Sequence, residues 1–372
     1  MRIIIAMSTL VIAGAASALD VDGTITAAEY GDASSLQNTS TNFGNNTDPL
    51  TSYANGSELD VAYTTVSQGV LYIGLVGSLE SNWNKLDLFI DCRDGGQHRI
   101  LGINPDIDFS ALQRMGDDGS GNGLTFEADF DADYWVSVTC GDWKGMGIQY
   151  HGSAAELKTN GDGAGYNLGM GTTTDDGSST VVTPIVSDSG IEIAINNAAI
   201  GGVNGGTGLD CGETADTTGI EIGIPLWVFD WDFEGIPFDS IRIVALISSS
   251  DHSYVSNQVL GGIGGGDNLG EVRSIDFGAI AGDQLFQVGV GAAPCPEFFL
   301  GACCFANGEC WESLQAEDCD NARGLWMGED TTCDDCDLGG GTDTCPTDTD
   351  GNGVVDVNDL LNVIATFNQV CP

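Results

Sequence analysis

Lys85-Leu86-Asp87-Leu88-Phe89-Ile90-Asp91 alternates, and in an extended chain Leu86, Leu88 and Ile90 fall on one face. Two stretches before it read the same way. Leu59-Asp60-Val61-Ala62-Tyr63 alternates, and Val70-Leu71-Tyr72-Ile73-Gly74-Leu75 is a dense strand, with Gly, Asn and Ser clusters supplying the turns between them. Further strands are expected over residues 134–139, 190–195, 219–224, 240–247 and 285–290, and the glycine run at 261–268 reads as a long turn between strands. Strands of this length and spacing, without long helical periodicity, predict an all-β body over residues 19–291, a β-sandwich or jelly roll.

Composition bounds what such a body does. The chain has 372 residues, 42% hydrophobic, with 54 glycines, which is long enough to bury a core and rich enough in turns for many short strands. Its 55 acidic against 10 basic side chains give a formal net charge of -45. That surface repels phosphate backbones, which excludes nucleic acid as a partner and leaves calcium association and an acidic solvated surface. Met1-Arg2-Ile3 opens an apolar run to Ala13, and Ala16-Ser17-Ala18 reads as a signal-peptidase site, so residues 1–18 are expected to be a signal peptide and the mature protein secreted or at the cell surface. No later stretch has the apolar length of a transmembrane segment.

Twelve cysteines suit an oxidising compartment, and nine of them lie from Cys295 onward. They group as Cys92, Cys140, Cys211 and Cys295 for the body, six in a compact unit (Cys303, Cys304, Cys310, Cys319, Cys333, Cys336), and Cys345 with Cys371 at the end. The unit spans residues 295–336 and resembles short cysteine-rich repeats appended to secreted bacterial proteins. Disulfides are favoured there over a zinc site, because oxidation removes the thiolates that zinc needs, and connectivity stays open. A Gly-rich linker follows at 337–344.

The tail, residues 345–372, carries Asp348-Thr349-Asp350-Gly351-Asn352-Gly353-Val354-Val355-Asp356-Val357-Asn358-Asp359. Side-chain oxygens recur at its first, third, fifth, ninth and twelfth positions, a glycine stands sixth where a loop around calcium turns sharply, and the hydrophobic Val355 stands eighth. The helix expected after it places Leu360, Ile364 and Phe367 on one stripe. This stretch resembles the loop-helix half of a type I dockerin, a calcium-folded module that docks secreted proteins onto cohesins. The resemblance implies Asp348, Asp350, Asn352, Asp356 and Asp359 as side-chain calcium ligands and Val354 as a backbone ligand. Dockerins pair two such units and one is found here; the loops beginning at Asp118 and Asp20 fail as the second. The implied partners are a cohesin-like protein or another copy of the chain, engaged through the C-terminal helix.

The body is similar to the frame of family 9 carbohydrate-binding and DOMON-like sandwiches. The likeness rests on Leu19-Asp20-Val21-Asp22-Gly23-Thr24-Ile25-Thr26-Ala27-Ala28-Glu29-Tyr30, the strand through Leu71-Tyr72-Ile73-Gly74-Leu75, and Gly219-Ile220-Glu221-Ile222-Gly223-Ile224-Pro225. Polysaccharide is the ligand class it implies. Among aromatics, Trp83 and Trp143 stand in polar or Gly-rich surroundings read as loops and are the candidate ligand-binding platforms. Trp227, Phe229, Trp231 and Phe233 alternate as on one strand, and an inward-packed face is the favoured reading.

No nucleophile elbow or zinc-protease pattern occurs, and His98, His151 and His252 are isolated in sequence. Glu127, Asp129, Asp131 and Asp133 read as a solvated edge or weak calcium patch rather than a catalytic pair. The expected function is a secreted, modular, calcium-binding protein with a carbohydrate-binding sandwich. The alternatives are a secreted polysaccharide-degrading enzyme (a glycoside hydrolase) and a structural cell-envelope protein.

Overall fold

Leu86, Leu88 and Ile90 are fully buried and belong to one large core cluster whose members come from two antiparallel sheets. The computed structural model describes residues 18–37, 39, 41–43, 56–142, 147–173, 183–198, 217–229, 240–263, 267–292, 300–305, 309–315, 319, 323–328 and 331–336. The expected calcium loop at 348–359, Trp143, Trp231, Phe233, Cys211, Cys295, Cys345 and Cys371 lie outside them. The chain divides into two compact units, Met1–Cys295 and Pro296–Pro372.

In the first unit the elements run α1 (Ala27–Tyr30), β1 (Ala33–Leu36), β2 (Glu58–Ser67), β3 (Val70–Ser78), β4 (Asn82–Asp91), α2 (Ala111–Met115), β5 (Tyr134–Asp142), β6 (Ile148–Glu156) and β7 (Gly165–Thr172). They continue as β8 (Ile185–Val186), β9 (Glu192–Ile195), β10 (Gly219–Pro225), β11 (Arg242–Ser248), β12 (Tyr254–Val259), β13 (Gly270–Glu271) and β14 (Phe286–Gln287). One sheet has the order β1-β2-β3-β10-β9-β8; the other runs β13-β12-β11-β4-β5-β6-β7, with β14 against β11. The expected strands at 134–139, 190–195, 219–224 and 240–247 are β5, β9, β10 and β11, while the one at 285–290 contracts to the two residues of β14.

Each sheet is covered on its outer side as well. On the smaller sheet, Val21, Ile25 and Tyr30 from the N-terminal segment pack on Val61, Tyr72 and Val76. Gly74 makes this possible, because a Cβ there would meet the side chains of Ile25 and Tyr30. The buried Glu221 carboxylate fastens the segment, accepting from the Asp22 and Gly23 amides at 2.8 and 3.0 Å and from the Tyr30 hydroxyl at 2.6 Å. On the larger sheet the long β4–β5 connection supplies Leu112, Met115, Phe126 and Phe130, which cover Phe89 and Trp135. The polar-looking face of the Lys85–Asp91 stretch is therefore also interior. No helix among the described residues is long and apolar enough to cross a membrane.

In the second unit β15 (Leu300–Cys304) is central between β16 (Cys310–Gln315) and β17 (Leu325–Trp326). Disulfides Cys303–Cys319, Cys304–Cys336 and Cys310–Cys333 use all six cysteines of the group. The sulfurs of Cys304, Cys310 and Cys336 lie together because two of these bridges are neighbours, and as disulfides they offer no thiolate to a metal.

Candidate functional site

Residues directly opposite in antiparallel strands share a face, so strand register lays out the outer surface of the larger sheet row by row. One row is Val244, Phe89, Trp135, Ala155 and Gly165, mostly apolar, with its centre under the β4–β5 connection. The next is Leu246, Asp87, Ser137, Ser153 and Asn167, and the third is Ser248, Lys85, Thr139, His151 and Met170. From these two rows Lys85, Thr139, His151, Ser153 and Asn167 line a groove of about 580 Å³, together with Trp83, Asp108 and Phe109.

Trp83 is not in a loop, as its neighbours suggested, but near the start of β4, where the register against β5 shifts between Asn82 and Lys85. Its φ of 74° puts it in the left-handed region, and its half-buried indole lies across Gly141 of β5, where a Cβ would collide with ring carbons Cδ2, Cε2 and Cε3. Asp108 and Phe109 also line the groove, in a turn of three consecutive left-handed residues, Asp108, Phe109 and Ser110, with φ of 48°, 56° and 67°. Non-glycine residues adopt this conformation at a cost of about 1–2 kcal/mol each, so side-chain anchors must hold the turn. Ser110 Oγ donates to Asp106 at 2.9 Å, and Asp108 is fixed from beneath by Lys85 and His252. The result is a Phe109 ring standing 97% exposed at the rim.

The anchor is a chain of buried polar groups. Lys85 Nζ donates to Asp108 Oδ2 at 2.9 Å and to Thr139 Oγ1 at 2.6 Å. His252 sits between two carboxylates, its Nε2 3.0 Å from Asp108 and its Nδ1 3.1 Å from Asp87. Asp87 also accepts from Ser248 Oγ at 2.6 Å and from the Trp135 indole at 2.9 Å. Burial opposes ionisation of both carboxyls, yet His252 and their hydrogen-bond donors outweigh it. Asp87 stays below the usual carboxylate range and Asp108 falls to about 2. For His252 burial again opposes the charged form, and the two carboxylates win, raising its pKa. For His151 burial outweighs the attraction of Asp108 and lowers its pKa.

The other sequence candidates fall elsewhere. Trp227 is in a 3-10 turn, Leu226–Val228, rather than a strand, so it is 42% exposed while Phe229 is buried and the pair does not form one continuous face. Trp227 lines a second cavity of about 280 Å³ with Tyr134, Tyr166 and Phe229. Asp133 is buried and accepts from the Cys92 and Arg93 amides, each at 2.9 Å, and Glu127 accepts from the Gln284 amide, which gives both a structural role. Asp118 of the rejected calcium loop pairs with Arg273 at 2.8 Å. Among the described residues lining the groove, Asp108 is the one carboxylate.

Sequence reasoning missed Lys85, Phe109, Asp108 and His252. A signal was present for the first, since a chain with 10 basic residues places one of them inside its most regular strand.

The fold and groove define an antiparallel β-sandwich whose larger sheet carries a polar, aromatic-walled site on its outer face. The chain matches no protein-family model, curated protein or solved structure.

Proposed function

We propose that the sandwich is a carbohydrate-binding domain whose site is the groove beside Trp83, within a secreted protein that a calcium-folded tail attaches or assembles. The observation that carries the reading is that Trp83 and Phe109 line one groove together with hydroxyl, amide and imidazole groups. The CH faces of a pyranose ring lie well on flat aromatics while its hydroxyls need donors and acceptors at the edge, and this groove offers both. Backbone strain on Trp83, Asp108 and Phe109, all lining the one groove, supports it, because strained conformations are retained where function needs a side chain aimed.

Calcium belongs to the tail by the ligand spacing of Asp348, Asp350, Asn352, Val354, Asp356 and Asp359, and a cohesin-like partner or a second copy is what its helix stripe would meet. Calorimetric titration of the full chain and of Trp83→Ala with a polysaccharide panel tests the binding half. Heat with at least one glycan, reduced about tenfold in affinity by the substitution, is expected. No heat with any of them removes the carbohydrate assignment.

A further inference from the structure

We infer that the Trp83 groove takes an uncharged, hydroxyl-rich glycan and rejects glycans bearing carboxylates or sulfates; this rests on the carbohydrate reading above. The ground is the charge balance under the floor. His252 has each ring nitrogen within hydrogen-bond distance of a carboxylate oxygen, at 3.1 and 3.0 Å. An ionised carboxylate only accepts, so both nitrogens carry a proton and the ring is a cation. Lys85 and His252 thus set two positive charges against two negative ones on Asp87 and Asp108, within one buried cluster.

Lys85 is the lysine that lines the groove, and its ammonium is already committed to Asp108 and Thr139. An incoming anion could take at most the third N–H of an ammonium whose charge Asp108 already balances, and would stand beside that carboxylate's own negative charge. Elsewhere in the lining Thr139, Ser153, Asn167 and Ser250 offer hydroxyls and an amide, and His151, whose pKa burial lowers, offers an imidazole. Such groups pair with sugar hydroxyls, which both donate and accept. Farther out, the formal charge of -45 repels acidic polymers before they reach the rim.

The test is calorimetric titration of the intact protein with neutral probes (cello-, xylo- and manno-oligosaccharides) and acidic ones (oligogalacturonate, oligoalginate). Each is titrated at about 10 and about 300 mM NaCl, since salt screens the outer surface more than the groove. The expected result is a neutral ligand whose affinity changes by less than about twofold with salt, and uronates at least about tenfold weaker at both concentrations. Asn167 is exposed, so Asn167→Lys adds a cation at the floor at the cost of the hydrogen bond that Asn167 Oδ1 accepts from the Gly169 amide, and uronates should then gain about tenfold. Uronate binding equal to or tighter than neutral binding overturns the charge inference and leaves the sugar reading standing. Uronate affinity unchanged by Asn167→Lys also overturns it. Silence from every probe overturns both.

Discussion

His252 controls how the groove is held, and its contacts have opposite signs of pH dependence. Its pKa is raised in the fold, so its stabilisation is complete below its unfolded value of about 6.5 and is lost as pH rises through the folded value. Asp108 is depressed to about 2, so its share is complete above its unfolded value of about 3.9 and is lost as pH falls toward the folded one. Urea unfolding should therefore show a plateau of stability between about pH 4 and 6.5 with a decline on either side. In His252→Ala the alkaline decline should flatten, and the protein should lose about 3–5 kcal/mol because Asp87 is left buried without its cation. A variant as stable as the parent at pH 5 would refute the ionic anchor. Gly141→Ala acts on Trp83: the new Cβ displaces its ring, so glycan affinity should fall about tenfold and tryptophan emission shift while the unfolding midpoint moves little.

At the scale of elements, β4 shows what was legible and what was not. Its period of two survives into the fold because Leu86, Leu88 and Ile90 face a core that rejects polar groups, and β2, β3, β10 and β11 are readable for the same reason. β6 and β7 escaped notice because Gly152, Gly165, Gly169 and Gly171 replace side chains at positions where alternation would show. The groove was illegible for a different reason: Lys85 and Asp108 are 23 residues apart and His252 is a further 144 from Asp108, so only sheet register and the β4–β5 connection bring them together. Local periodicity reports which face is apolar; it carries no information on which distant loop covers the other face. The N-terminal segment is a second cover of this kind, fastened by Glu221. In Glu221→Ala the Asp22 and Gly23 amides and the Tyr30 hydroxyl lose their acceptor, which should cost about 2 kcal/mol or more. Hydrogen exchange should quicken across residues 22–30 and stay slow in β3 and β10. Uniform protection in the variant would mean that Val21, Ile25 and Tyr30 hold the segment by packing alone.

On the scale of the whole molecule, the three regions depend on different sources of stability. The sandwich has a large apolar core; the cysteine unit has three disulfides across a small sheet. If residues 345–372 form the proposed calcium-folded tail, a stretch of that length buries little apolar surface, and an ion and a staple would substitute for a core. A Cys345–Cys371 bridge would contribute roughly 3 kcal/mol. Calcium at 100 times its dissociation constant would add about 2.7 kcal/mol. On the proposed calcium reading, removing the ion would remove about half of what holds the tail, and the sandwich, which has its own apolar core, should persist. Limited proteolysis of the full chain, followed by mass spectrometry, should show the tail cut rapidly after chelation or in Asp348→Ala, with the body persisting as a resistant fragment. Added calcium should restore resistance in the parent and fail to do so in Asp348→Ala, because the first ligand of the loop is gone. A tail digested at the same rate with and without chelator would refute the calcium assignment. Collapse of the body together with the tail would instead show that the ion supports the sandwich as well.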